Sequence, residues 1–140
     1  MSIVFRPMTE ADIPAVRDLW QNTEHMGLGP EDQPERLKRQ LARSPGLSHV
    51  AIDTDGRVIA AAMGHDDGRR GMLTHVAVAA ERRGEGIGRD LVARVLDAMR
   101  HQGLRRCDLL VFADNDRGRA FWRRLGWQER PDVLWMKREL

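Results

Sequence analysis

Tyrosine is missing from the 140 residues, and cysteine occurs once, as Cys107. Without tyrosine, a phenol is excluded as the proton donor of any reaction the chain performs. A single thiol excludes an internal disulfide framework and fits a reducing compartment, so a cytoplasmic location is expected. No apolar run approaches the length of a membrane span, and the first residues are not signal-like; neither membrane insertion nor export is expected. An excess of one charge is also lacking: 23 Lys and Arg against 21 Asp and Glu give a net charge of +2. The basic residues are mixed with acids, which argues against nucleic acid as a partner. No metal is expected. Low-complexity segments and internal repeats are absent. At this length, with 41% hydrophobic and 31% charged residues, one packed domain over residues 1–140 is expected.

Helical and extended periods alternate along the chain. Ile3–Arg6 has the look of a short strand. Thr9 is placed to cap a helix running to about Asn22, with Asp12 at the reciprocal capping position. Ile13, Val16, Leu19 and Trp20 form its apolar face. Asp32 or Gln33 opens a second helix, Pro34 lies in its first turn, and Ser44-Pro45-Gly46 stops it. Leu47–Ile52 and Arg57–Gly64 form a hairpin across Asp53-Thr54-Asp55-Gly56. Leu73–Val78 is a further strand. A helix to His101 follows, with Leu91, Val92, Val95, Leu96 and Met99 inward, and Gly103 closes it. Cys107–Phe112 is an apolar strand, parallel to the one before the helix. Asp114 or Asn115 caps a short helix to Leu125, and Trp127–Glu129 and Val133–Arg138 are expected as final strands.

Between the strand ending at Val78 and the long helix lies Arg83-Gly84-Glu85-Gly86-Ile87-Gly88. Its glycines let backbone approach a ligand with no Cβ in the way. The helix behind them aims free N–H groups and its positive dipole end into the loop. Strand, glycine loop and helix N-terminus together suit a phosphate, with Arg83 and Arg89 as sources of full charge. The P-loop pattern fails, because Gly88-Arg89-Asp90 lacks Gly-Lys-Ser/Thr. The dinucleotide pattern G-x-G-x-x-G fails too, since its third glycine would fall on Arg89.

What fits is Arg-x-x-Gly-x-Gly at Arg83, Gly86 and Gly88, which resembles the pyrophosphate loop of the GNAT superfamily of acetyl-CoA-dependent N-acetyltransferases. A second block is similar to that family's later motif: Asn115, Phe121-Trp122 and Leu125-Gly126-Trp127, with Gly118 where the family has alanine. The two blocks cover about the last half of the chain. The resemblance implies a three-layer α-β-α sandwich around a mixed sheet whose central strands splay apart to admit the pantetheine arm. It implies acetyl transfer from acetyl-CoA to a primary amine by direct attack in a ternary complex. Cofactor contacts would fall on Val76, Ala77 and Val78 by backbone, on Arg83, Gly84, Glu85, Gly86, Ile87, Gly88 and Arg89 at the loop, and on Asn115, Phe121 and Trp122. A backbone N–H near Val76 or Val78 would polarise the thioester oxygen.

The catalytic residues stay open. Many members carry tyrosine where this chain has Trp122, and an indole N–H is no acid at neutral pH. The thiolate could leave unassisted, as a thiol of ordinary pKa is a fair leaving group. For a base, His75 lies beside the loop, but strict alternation points it away from the face of Met72, Thr74 and Val76. A β-bulge, which the family has on this strand, would re-aim it. Glu24, His25, His65, Asp66 and Asp67 are alternatives, as is base catalysis through water. Cys107 is open as an acyl carrier or a small buried thiol. A different class of function, a CoA-binding module without catalysis, fits the missing tyrosine. Nucleic-acid binding through Arg117, Arg119, Arg123 and Arg124 is the weakest fit; Arg117 or Arg119 could instead meet the cofactor's ribose phosphate. Trp135 and Met136 offer an apolar edge for homodimer formation.

Overall fold

The computed structural model of the chain describes residues 2–140. It resolves into two compact units, one ending at Leu110 and one spanning Val111–Leu140.

The first unit is a five-stranded sheet in the order β1 (Val4–Pro7), β2 (His49–Ile52), β3 (Val58–Asp66), β4 (Gly71–Val78), β5 (Cys107–Leu109). The first four strands are antiparallel, and β5 runs parallel to β4. The parallel step needs a crossover, which α3 (Ile87–His101) supplies. Helices α1 (Ile13–Gln21) and α2 (Pro34–Arg43) fill the connection between β1 and β2. The expected turn between β2 and β3 forms: Asp53 accepts the N–H groups of Asp55 and Arg57 at 2.9 and 3.0 Å, and Gly56 takes φ +80. At the start of α1, Thr9 N–H donates to Asp12 at 2.8 Å, the reciprocal half of the capping arrangement, and Arg6 grips the same carboxylate at 2.7 and 2.8 Å.

Ile59, Ala60, Ala61, Ala62 and Met63 are all at most 1% exposed. Side chains alternate across a strand, so an unbroken buried run means that both faces of β3 are covered. α1 and α3 both pack on β3 and β4, and α2 packs on α1. α1 contributes Val16 and Trp20, and α3 contributes Leu91, Val92 and Val95, all fully buried. Each such side chain stabilises the fold by roughly 1.5–3 kcal/mol relative to exposure. Two glycines act through close packing. A Cβ on Gly64 would lie 2.1 Å from the Leu47 carbonyl oxygen, and one on Gly71 would lie 2.4 Å from Met99 Sδ.

The second unit contains α4 (Asp116–Arg124). Asn115 caps it by accepting Gly118 N–H at 3.0 Å. Trp122 meets Phe121 and Trp127 edge-on, with ring centroids 4.9 and 5.3 Å apart. The expected strands at Trp127–Glu129 and Val133–Arg138 do not form; residues 127–140 belong to no strand. An apolar run becomes a strand only when an edge pairs with it. β5 itself stops at Leu109, short of the expected Phe112. Trp135 and Met136, expected on a self-pairing edge, are exposed and outside any strand. Among the described residues, no helix is long and apolar enough to cross a membrane.

Candidate active site

β4 pairs with β5 only through Gly71, Met72 and Leu73. Beyond Leu73 its outer edge carries no strand, which is the expected splay. On its other side, Met63 faces Thr74 and Ala61 faces Ala77, so His75 and Val76 together oppose the single residue Ala62. That is a β-bulge. Past it, Ala79 N–H bonds the Ile59 carbonyl at 2.8 Å. The two-residue alternation of an antiparallel ladder then makes Ala77 the next residue bonded to β3. The N–H group of Val78, between them, therefore turns away from β3, toward the unpaired edge. The carbonyl of Val78 turns the same way and accepts from Arg83 Nε at 3.2 Å.

The bulge sets His75 at φ +51, a left-handed conformation that costs a non-glycine residue roughly 1–2 kcal/mol. Three contacts fix it there. Trp20 Nε1 donates to the His75 carbonyl at 3.0 Å, and the two rings meet edge-on at 4.8 Å. His75 Nε2 lies 2.7 Å from Asp32 Oδ1. Asp32 is 7% exposed, and its other oxygen accepts Gly29 N–H at 2.9 Å. A carboxylate only accepts, so Nε2 is the donor, and in the neutral ring the lone pair lies on Nδ1. Nδ1 has no hydrogen bond. His49 Nδ1 is the one fully buried, unbonded side-chain nitrogen or oxygen among the described residues, so His75 Nδ1 is not fully buried. The bulge has thus turned His75 onto the face covered by α1, against strict alternation. Asp32 ends a single 3-10 turn, Pro30–Asp32, before α2. The sequence marks it only as a helix opener; its contact with a residue 43 positions away carries no local signal.

Beside this pair is a cleft of about 250 Å³, lined in part by Arg17, Trp20, Leu28, Asp32 and Gln33.

At the glycine turn, Gly84 and Gly86 adopt φ +83 and +81. Gly86 is the N-cap of α3, and its carbonyl takes the first helical hydrogen bond, from Asp90 N–H at 3.1 Å. The N–H groups of Ile87, Gly88 and Arg89 precede that bond and have no intrahelical acceptor. The side chains are arranged differently from the expectation. Arg83 is tied to Glu24 at 2.6 Å as well as to the Val78 carbonyl, so it braces the strand exit. Arg89 leans over Gly86 and pairs with Asp90 at 3.3 Å. Arg82 holds Glu85 at 3.1 Å and offsets its charge.

In the second unit, Gly118 has a reason to replace alanine: a Cβ there would lie 2.4 Å from Asn115 Nδ2. Arg119 and Arg123 both pair with Glu129, at 2.8 and 3.0 Å, so two of the four arginines share one carboxylate.

Four of the other base candidates are engaged elsewhere, and the fifth, His25, takes φ +61 in the loop after α1. Glu24 holds Arg83. His65 Nδ1 meets Gln40 at 3.4 Å, and Asp66 accepts from Ser44 at 3.2 Å and from Gly68 N–H at 3.0 Å. The N–H groups of Arg70 and Arg69 hold the Asp67 carboxyl down to about 2, making it a poor base. Burial, and then the charge of Asp108, push the Cys107 thiol up to about 11. It is a neutral thiol at pH 7, which removes the acyl-carrier reading.

A mixed, open five-strand sheet with four helices, a bulged fourth strand and a glycine turn at the head of the long helix defines the fold class. The acetyltransferase (GNAT) family model matches residues 13–127, and the chain belongs to that family. An acetyltransferase of Sodalis glossinidius is 30% identical over 130 residues, covering 92% of this chain and 89% of its own length. Among solved structures, the PaiA N-acetyltransferase of Thermoplasma acidophilum, in complex with coenzyme A, superposes with a TM-score of 0.80 at 19% identity, covering 91% of each chain. AAC(6')-Iy, in complex with the bisubstrate analogue CoA-S-monomethyl-acetylneamine, does so at 0.80 and 18% identity, covering 100% of each chain.

Proposed function

We propose that the protein transfers an acetyl group from acetyl-CoA to a primary amine by direct attack in a ternary complex. The observation that carries this reading is the unpaired edge of β4, with the N–H group of Val78 turned into it, ending at the glycine turn that opens α3. An extended pantetheine arm pairs with such an edge as a strand would, and its pyrophosphate suits the backbone of Gly84, Glu85, Gly86, Ile87, Gly88 and Arg89. The coenzyme A complex of the Thermoplasma acidophilum enzyme supports the same ligand class. The family match crosses the boundary between the two units, which supports one catalytic domain over 1–140. In the second unit, Asn115, Phe121 and Trp122 keep their assignment as cofactor contacts under this reading.

The amine nitrogen attacks the thioester carbonyl carbon, and a backbone N–H at the bulge takes the developing oxyanion. The C–S bond breaks as the new C–N bond is completed. The proton lost by the amine passes to His75 Nδ1, the unbonded nitrogen of a ring oriented by Asp32. The thiolate departs and takes its proton from solvent, since the chain has no tyrosine to supply one.

Calorimetric titration with acetyl-CoA tests the reading. The parent should bind, and Gly86→Trp, checked for folding by circular dichroism, should not. Absence of binding by a folded parent sinks it. Thiol release across a panel of amines then separates an enzyme from a module that binds without turnover.

A further inference from the structure

We infer that the acceptor is a small amino carboxylate, held by Arg17 through its carboxylate with its amine directed at His75. This rests on the acetyl-transfer reading and adds the substrate class. Most arginines of the first unit are matched with an acid: Arg6 with Asp12, Arg57 with Glu81, Arg70 and Arg106 with Asp108, Arg83 with Glu24, and Arg100 with Asp97. Arg17 is not. Its Nε donates to the Asp32 backbone carbonyl at 3.1 Å, which fixes the plane of the guanidinium and leaves its two terminal amino groups without an acid. They belong to a residue lining the cleft of about 250 Å³ beside the His75–Asp32 pair.

The Asp32 carboxylate is 7% exposed and already accepts from Gly29 N–H and His75, one at each oxygen, so it offers a cationic acceptor little surface. The cleft therefore presents a fixed positive fork, an aromatic wall in Trp20 and an apolar rim in Leu28, and two of its lining residues, Trp20 and Asp32, contact His75. A guanidinium with both terminal amino groups free matches a carboxylate bidentately. A polyamine meets an uncompensated positive charge instead, which selects against it. A cleft of this volume has room for roughly eight waters, the scale of a single amino acid and not of a sugar trimer. Arg17 is a specificity residue here, and Asp32 joins the two ends: its backbone carbonyl positions Arg17 and its side chain positions His75.

The test uses the full chain, with acetyl-CoA binding confirmed first by calorimetry. If that binding fails, the parent reading fails; if it holds, the assay below judges this inference alone. Thiol release is measured with free amino acids and, in parallel, with their amides and the corresponding decarboxylated amines. The parent should prefer the carboxylate members by at least about tenfold in kcat/KM, the scale of one charge-assisted pair. Arg17→Gln should raise KM for those members by a similar factor, leave KM for the members lacking a carboxylate and acetyl-CoA affinity unchanged, and so erase the preference. Arg17→Lys should restore part of it. Equal or better turnover of the amides or polyamines by the parent overturns the inference. So does an Arg17→Gln variant that loses activity equally on amines with and without a carboxylate, since that is the mark of a structural role through Asp32.

Discussion

Replacing Asp32 by asparagine isolates what the carboxylate does for His75. In the parent, Asp32 accepts from two donors, His75 Nε2 at 2.7 Å and Gly29 N–H at 2.9 Å. Asparagine is nearly isosteric but offers only one acceptor oxygen. If that oxygen keeps Gly29, the amide nitrogen faces Nε2 and donates to it. The ring must then carry its proton on Nδ1, the unbonded nitrogen, on which the proposed base function depends. The lost charge-assisted bond at a site where Asp32 is 7% exposed costs about 1.5–3 kcal/mol of stability, well within the reserve of a typical domain. Catalysis should suffer more: loss of a positioned base lowers kcat by about 10²–10⁴-fold. Nitrogen-15 NMR of labelled histidine reads the tautomer directly, with no acceptor required. The parent should show the proton on Nε2 of His75, and Asp32→Asn should show it on Nδ1. Thiol release should fall in step. A parent tautomer already protonated at Nδ1, or a folded Asp32→Asn variant with undiminished turnover, refutes the pairing argument.

Two other groups give independent checks. His49 is buried with Nδ1 unpaired, and burial, aided by Arg94, holds its folded-state pKa below the ordinary 6.5. The unfolded chain therefore binds this proton more readily, so stability is full above about pH 6.5 and falls as the pH drops below it; urea midpoints should decline on the acid side in the parent and flatten there in His49→Gln, and identical profiles would remove the burial argument. For Cys107, a thiol pushed up to about 11 should be alkylated by iodoacetamide far more slowly at pH 7.5 than a free thiol, with the rate climbing beyond pH 10. Cys107→Ser should leave thiol release unchanged, and a large loss would return the acyl-carrier mechanism.

Elements whose causes are local were legible. The turn at Gly56, the stop at Gly103 and the boundaries of α1, α2 and α3 rest on backbone sterics and on apolar spacing within one element. Those causes act between neighbours in sequence, so a sequence displays them. The two final strands were not legible. Val133–Met136 has the composition of a strand, yet in the structure it is exposed and unpaired, because strand existence depends on a partner edge that composition does not reveal. Gly64 and Gly71 were silent for a related reason: what crowds them, Leu47 and Met99, comes from elsewhere in the fold.

The site divides along the same line, and the bulge explains where. The glycine turn was readable because Gly84 and Gly86 must take positive φ wherever such a turn is built. Side-chain direction on β4 was readable only as far as Thr74. Up to that residue the two-residue period holds, and Leu73 shares the face of Gly64. One extra residue at His75–Val76 shifts the count, so that Val78, opposite Ala60, shares the face of Leu73 although one position is odd and the other even. Alternation therefore misassigns every side chain beyond the bulge, and His75 is the first. A histidine held at φ +51 would relax without support, and that support comes from Trp20 and Asp32, 55 and 43 residues away. The strain and the two contacts imply one another: the bulge is stable because Trp20 bonds the His75 carbonyl, and Asp32 meets the ring because the bulge turns it. A sequence search for the base should thus start from a histidine or acid at the bulge position of the strand preceding the glycine turn. It should then look to the short turn that precedes α2 for the carboxylate, since that turn is where Asp32 meets the ring.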